Sequence, residues 1–330
     1  MYQEYQENFN HVKLEKGMYH LANKSFLQAL EEADASSAYE NTPLAGLNAY
    51  ERQLKRFDIR VSGVNCDKVE KFFTTTESAV LFPEFIRRAV MQGMEESVLP
   101  EITAAVTWSE SNRYQGCALT DTTAYSTTTA GTAMPVSSIL ESANISTIEK
   151  YGRIVQASYE AVRQQRLDVF ALMLRRIGKQ LAESITAKAL VIMKNTANAT
   201  KTTVAAKDFA YSDLAELYGN FKSFNMKALL VSPGVMAKIL VMDQMLEASS
   251  EDVTEIRLPF GTKLINCSQM DDTILLGVDT DFALEQIQSS DVILETDKLI
   301  DRQLDCIGIS VNVGFRVLMT DAVKMIQFSS

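Results

Sequence analysis

From Leu167 onward the apolar residues step along the chain by threes and fours: Leu167, Phe170, Leu174, Ile177 and Leu181, continued by Ile185, Ala189 and Ile192. That spacing lays one apolar stripe along an α-helix, with Arg175, Arg176, Lys179 and Glu183 on the other side. Ser158 and Asp168 suit N-caps. The pattern runs over 168–195 without a proline, 28 residues or roughly 42 Å at ~1.5 Å per residue. Such a helix is an architectural beam. Its stripe spans too few clean heptads for a coiled coil.

The far end of the chain has a different period. Ile307, Ile309, Val311, Val313, Phe315, Val317 and Met319 alternate with Gly308, Ser310, Asn312, Gly314 and Arg316, which predicts a long strand buried on one side. A last strand is expected over 322–328. Between beam and terminal strand, short elements alternate: a helix over 212–224, a strand over 227–231, a helix over 235–248, and strands near 263–267, 273–278 and 291–294. A polar break occupies 195–208. The mixture is α+β with local connections, not a regular βαβ series.

Ahead of the beam, 79–99 reads as a helix with Phe85, Ile86, Val90 and Met94 at helical spacing and Pro83 in its first turns. Strands are expected over 102–108, 114–119 and 150–157, with Ile154 and Val155 toward the core. The Thr/Ser/Ala/Gly stretch over 120–138 is too polar for a core and predicts a projecting hairpin or long loop. Residues 1–78 contain helical candidates over 20–34 and 47–59. They look polar and short of large apolar residues, more an arm than a compact domain.

Composition excludes much chemistry. The chain has 330 residues and two histidines, His11 and His20. The body therefore lacks Ser–His and Cys–His nucleophile pairs and histidine metal sites. Cys66, Cys117, Cys267 and Cys306 contain no C-x-x-C and read as scattered reduced thiols. Phosphate-loop, dinucleotide, zincin and nucleophile-elbow motifs are absent. Asp271, Asp272, Asp279 and Asp281 are the residues an enzyme of carboxylates alone would use. Asp279-Thr280-Asp281 starts like a calcium loop but lacks its glycine and closing glutamate, and so reads as a solvated turn. We expect no catalytic residue, metal or cofactor. No apolar run reaches the ~18 residues of a membrane span, and the first residues do not read as a secretory signal.

Net charge is −10, unevenly spread: −6 over 73–149, +6 over 150–194 and −10 over 208–330. The basic middle falls on the beam, where it is either a solvated face or a surface that meets an acidic surface of another copy. Trp108, at the end of an apolar strand, reads as a packing anchor at the base of the projecting loop or as a contact between copies.

In order, the chain has a polar front, a helix carrying Leu81-Phe82-Pro83-Glu84-Phe85, a Thr/Ser-rich hairpin, and a strand through Val155-Gln156-Ala157-Ser158 into the beam. A mixed portion and a long strand closing on Asp321-Ala322-Val323 follow. This order resembles the major capsid proteins of tailed bacteriophages, the Hong Kong 97-type fold.

The resemblance implies an N-terminal arm (1–78) and a peripheral domain beginning at 79–207. That domain would hold an extended loop (about 105–157) and a spine helix (about 158–195). An axial domain (208–302) and a return strand (303–330) would complete the chain. It further implies self-assembly into pentamers and hexamers, packaged double-stranded DNA nearby, and portal, scaffold, protease or decoration proteins as partners. The place of action would be the virion, after assembly in host cytoplasm. An encapsulin-like shell around cargo is the alternative. Candidate contacts between copies are Trp108, Arg113, Tyr125, Arg153, Arg163, Arg166, Arg175 and Arg176. No lysine lies between Lys71 and Lys150, so the loop lacks the nucleophile with which some members cross-link themselves.

Overall fold

A computed structural model describes residues 11–21, 24–40, 42–121, 127–197, 201–204, 210–247, 255–299 and 304–328. The principal helices are α1 (Phe26–Ala33), α2 (Ala49–Arg56), α3 (Phe82–Glu95), α4 (Leu167–Ala197), α5 (Tyr211–Gly219) and α6 (Pro233–Leu240). The strands are β1 (Thr103–Trp108), β2 (Arg113–Tyr114), β3 (Cys117–Asp121), β4 (Ser137–Glu141), β5 (Ser146–Thr147), β6 (Glu149–Ser158) and β7 (Lys201–Val204). They continue with β8 (Ala228–Val231), β9 (Lys263–Asn266), β10 (Ile274–Val278), β11 (Leu284–Gln288), β12 (Ile293–Leu299), β13 (Leu304–Val317) and β14 (Val323–Phe328).

Local chemistry sets several of these ends. Ser25 accepts from Gln28 N at 3.2 Å while Gln28 Oε1 accepts from Ser25 N at 2.9 Å. This capping box starts α1 six residues later than the pattern over 20–34 predicts. Asn48 and Glu51 repeat the motif at α2. Pro83 sits in the first turn of α3, where its missing N–H costs nothing. The beam is observed as α4, 31 residues long, roughly 46 Å.

The chain forms two compact units. The first comprises residues 1–96, 152–181 and 292–310, the second 97–151, 182–291 and 311–330. Their borders fall elsewhere than the sequence divisions at 78, 207 and 302, because α4 and β13 each contribute residues to both units.

In the first unit, α3 and the start of α4 pack at backbone distance. A Cβ on Gly93 would meet Arg175 O at 2.0 Å, and one on Gly178 would meet Val90 O at 2.1 Å, so both positions require glycine. Phe82 stacks on Phe170 with ring centres 6.1 Å apart, and Phe72 lies 5.5 Å from both Phe82 and Phe85.

The front segment differs from the expected core-poor arm. Val12, Leu14, Phe26, Leu30, Tyr39, Tyr50, Leu54, Val69 and Phe72 are buried. Val69 N donates to Gln165 O and Leu167 N to Asp67 O, each at 2.9 Å, which sews the segment to the start of α4. Arg52 is fully buried. It donates to Asp34 Oδ2 at 2.8 Å and to Leu47 O at 2.6 Å, with Tyr39 OH on Asp34 Oδ1 at 2.6 Å. A composition read as polar conceals a core because some of its polar groups are paired inside it.

The second unit holds a five-stranded sheet in the order β7-β14-β10-β8-β9. Buried Leu214, Leu217, Val235 and Ile239 of α5 and α6 join Leu229, Val231, Leu264, Leu275, Ile326 and Phe328 in one core. β1 runs parallel to β11, and β11 pairs antiparallel with β13 through Glu285 and Arg316. β7 falls where a polar break is expected, and β11 is not anticipated. Both are short and read Lys-Thr-Thr-Val and Leu-Glu-Gln-Ile-Gln, without clean alternation.

β13 follows its predicted alternation, yet Ser310 and Gly314 on the other face are buried as well. A Cβ on Gly314 would meet Thr147 O at 2.8 Å, so backbone covers that side. Ile154 of β6, expected toward the core, is exposed.

Candidate assembly surfaces

β3 and β4 form a two-stranded antiparallel hairpin with Leu119 opposite Ile139 and Ala118 opposite Leu140. Among the described residues no third strand joins it. Leu119 is 48% exposed, Ile139 72% and Leu140 60%. Because neighbouring side chains point to opposite faces, Ile139 and Leu140 expose apolar area on both sides of the ribbon. Met134 and Val136, between the strands, are exposed too. A lone two-stranded ribbon is marginal in water, and grouped exposed apolar side chains mark interaction surfaces. Where a projecting hairpin or long loop is expected over 120–138, the structure has a hairpin whose legs are 117–121 and 137–141, residues 122–126 lying outside the described residues; its β4 leg and apolar residues are hidden within the Thr/Ser-rich composition. The signal was Val136-x-x-Ile139-Leu140 directly after Pro135.

Trp108 closes β1 and is 62% exposed. The reading as a packing anchor is therefore corrected, since an anchor's ring would be inside. Arg113, in β2, is exposed on the same unit. Tyr125 lies outside the described residues.

The other five arginines belong to the first unit. Arg153 donates to Gln180 Oε1 at 2.7 Å. Arg163 places its guanidinium 5.3 Å from the centre of the Phe73 ring. Arg166 pairs with Asp168 at 2.7 Å. Arg175 pairs with Glu96, while its Nε is buried without a partner among the described residues. Arg176 is exposed. Arg166 and Arg175 are thus already neutralised within the chain. Nearby, Val169, Leu172 and Met173 put exposed apolar area on the outer side of α4.

The four carboxylates that an enzyme would use are tied into the fold. Asp271 pairs with Lys194 at 2.8 Å. Asp272 accepts from Ser232 Oγ at 2.5 Å, the residue that caps α6. Asp279 is buried and accepts from Asn225 N at 2.9 Å and Asp281 N at 3.2 Å. Asp281 pairs with Lys227. Among the described residues, no group of three His, Cys, Asp or Glu side chains is placed to hold a metal, and no helix is long and apolar enough to cross a membrane.

With this geometry in view, the likeness to known proteins is informative. A family model described as phage capsid protein matches residues 141–303. No curated protein sequence matches the chain. Solved structures share its fold at low identity. The virus-like particle from Pyrococcus furiosus has a TM-score of 0.53 at 14% identity, covering 74% of this chain and 98% of that one. Microbacterium phage Oxtober96 has 0.51 at 14%, covering 71% and 91%. The satellite phage P4 procapsid has 0.52 at 12%, covering 74% and 90%.

The fold is thus the Hong Kong 97-type capsid fold, which defines a class of shell proteins. Together with the family match, it upholds the resemblance read from the sequence. The family match over residues 141–303 and this fold support a shell-forming structural protein.

Proposed function

We propose that copies of this chain close head-to-tail into rings of five and six, and that these rings tile an icosahedral head shell around packaged double-stranded DNA. Head-to-tail contacts close when their rotation divides the circle. The observation that carries the reading is the β3–β4 hairpin, with apolar side chains on both faces and no core of its own. It has a use only when another copy covers it.

The sequence over 114–149 holds no Lys or Arg, whereas 150–194 is +6. The hairpin of one copy therefore has a complementary landing surface in the basic, partly apolar face of α4 on another, around Arg153, Arg163 and Arg176. Arg113 and Trp108 would extend the contact at the hairpin's own base. Residues 1–78 would act as an arm toward a neighbour only through parts outside their packed core. A portal, a scaffold, a protease and decoration proteins complete the expected partner set, the mature shell being the virion's and assembly taking place in host cytoplasm. A cargo-enclosing shell is not favoured, because the family match is to phage capsid proteins.

Size-exclusion chromatography followed by electron microscopy of the purified chain tests the proposal. Rings or closed shells are expected. A protein that stays monomeric at every concentration and ionic strength contradicts it.

A further inference from the structure

The root of the hairpin contains a buried charge pair to which the shell reading assigns no role. Glu285 in β11 is buried and stands opposite Arg316 in β13. Glu285 Oε2 accepts from Arg316 Nε at 2.9 Å and Nη2 at 2.6 Å. Glu285 Oε1 accepts from Thr107 Oγ1 at 2.5 Å and Tyr114 OH at 3.2 Å. The remaining guanidinium nitrogen, Nη1, donates to Cys117 O at 2.9 Å, the first residue of β3. A Cβ on Gly116 would lie 2.1–2.3 Å from the guanidinium atoms. Gly116 O in turn accepts from Ser142 N at 2.7 Å, just past β4. One cation thus joins the sheet to the place where both legs of the hairpin depart.

Net stability does not explain such a pair. Removing two charges from water costs several kcal/mol, and apolar residues of equal volume often do as well. An apolar pair, however, has no donor for Cys117 O and cannot hold a ribbon that lacks a core. We propose that Glu285 and Arg316, with Gly116 as the seat of the guanidinium, form a latch that fixes the direction in which the hairpin leaves the sheet, and so positions it for a neighbouring copy. This rests on the shell reading above.

Two variants of the full chain test it. Gly116→Ala displaces only the far end of a flexible side chain. Arg316→Lys keeps the charge beside Glu285 but loses the fork that also reaches Cys117 O. Hydrogen exchange on the unassembled chain should rise about tenfold or more at residues 117–121 and 137–142, with β10 and β14 unchanged. Under assembling conditions, the shells of both variants should become fewer or irregular in size.

Exchange on the free chain judges the latch even if the wild-type protein makes no shell, an outcome that would count against the shell reading alone. Three results overturn the latch: unchanged exchange at the hairpin in both variants, a uniform loss of protection across the second unit, or normal shells from a variant whose hairpin is loosened.

Discussion

Two stretches of this chain both read as polar and behave oppositely: residues 11–78, rich in charged side chains, and the hairpin residues 117–141, rich in Thr, Ser and Ala. The first buries Leu30, Tyr39, Tyr50, Val69 and Phe72 and encloses a paired arginine. The second leaves Leu119, Ile139 and Leu140 in solvent. The difference lies in arrangement. In the front segment, capping boxes start α1 and α2 and gather their apolar side chains onto one face, which packs within its unit. In the hairpin, the period of two sends adjacent Ile139 and Leu140 to opposite faces, and a two-stranded ribbon can cover neither. Low apolar content thus marks either a segment that packs within the chain or one whose apolar side chains stay exposed on the single subunit.

The sharpest way to break this comparison is to damage the core of the front segment. Asp34→Ala leaves Arg52 buried without its carboxylate and should cost about 3–5 kcal/mol. Phe72→Ala should cost a similar amount, about 3–5 kcal/mol, by opening a cavity against Phe82 and Phe85. Denaturant unfolding of the unassembled chain measures both. A loss below about 1 kcal/mol, the upper end of what a surface ion pair typically contributes, would return the segment to a loosely attached arm.

Alkaline pH should separate the two regions next. Burial pushes the Tyr50 phenol well above its usual value. Burial and the Asp34 hydrogen bond move Tyr39 up to about 12. Raised folded values mean that the fold favours the protonated phenols. Their contribution is complete below the unfolded value of about 10 and is lost as pH rises from there through the folded values. Limited proteolysis should therefore show residues 11–78 opening between pH 10 and 12, whereas cutting within 127–141, which contains no tyrosine, should not change. Equal protection of 11–78 at pH 8 and 12 would contradict this.

The smallest effect on the free chain should come from the hairpin. Leu119→Ser with Ile139→Ser should change subunit stability by no more than about 0.5 kcal/mol, as exposed positions do. The same double variant should raise the concentration needed for assembly about tenfold or more, since two contacts worth roughly 0.7 kcal/mol each amount to a factor of ten. Light scattering against concentration reads this. Charge reversal at Arg163 and Arg176 should weaken assembly less and flatten its salt dependence, because exposed charges are screened.

What the sequence disclosed, and what it hid, follows from the same physics. The beam, β13, β14 and α3 were legible because each carries an apolar period that no neighbour has to complete. β7 and β11 were not, since their Thr and Gln side chains join ladders whose other members lie far along the chain. The front segment was misjudged because Arg52 and Asp34 look solvated until they are seen paired. Among the candidate contacts, Trp108 reads from sequence first as a packing anchor, and its exposed ring contradicts that role. Arg166 and Arg175 read as open charges in the sequence, which does not show Asp168 and Glu96 paired with them. Glu285 and Arg316 lie 31 positions apart and carry no motif. Only strand register brings them together.

The central claim is that the hairpin is unfinished until a second copy covers it. Hydrogen exchange at residues 117–121 and 137–141, compared between the unassembled chain and its assembled form, tests that directly. The account predicts exchange in the free subunit that is measurable but much faster than in the assembled form, the added protection being confined in this part of the chain to the hairpin and its root. Equal exchange in both states, with particles formed all the same, would contradict it.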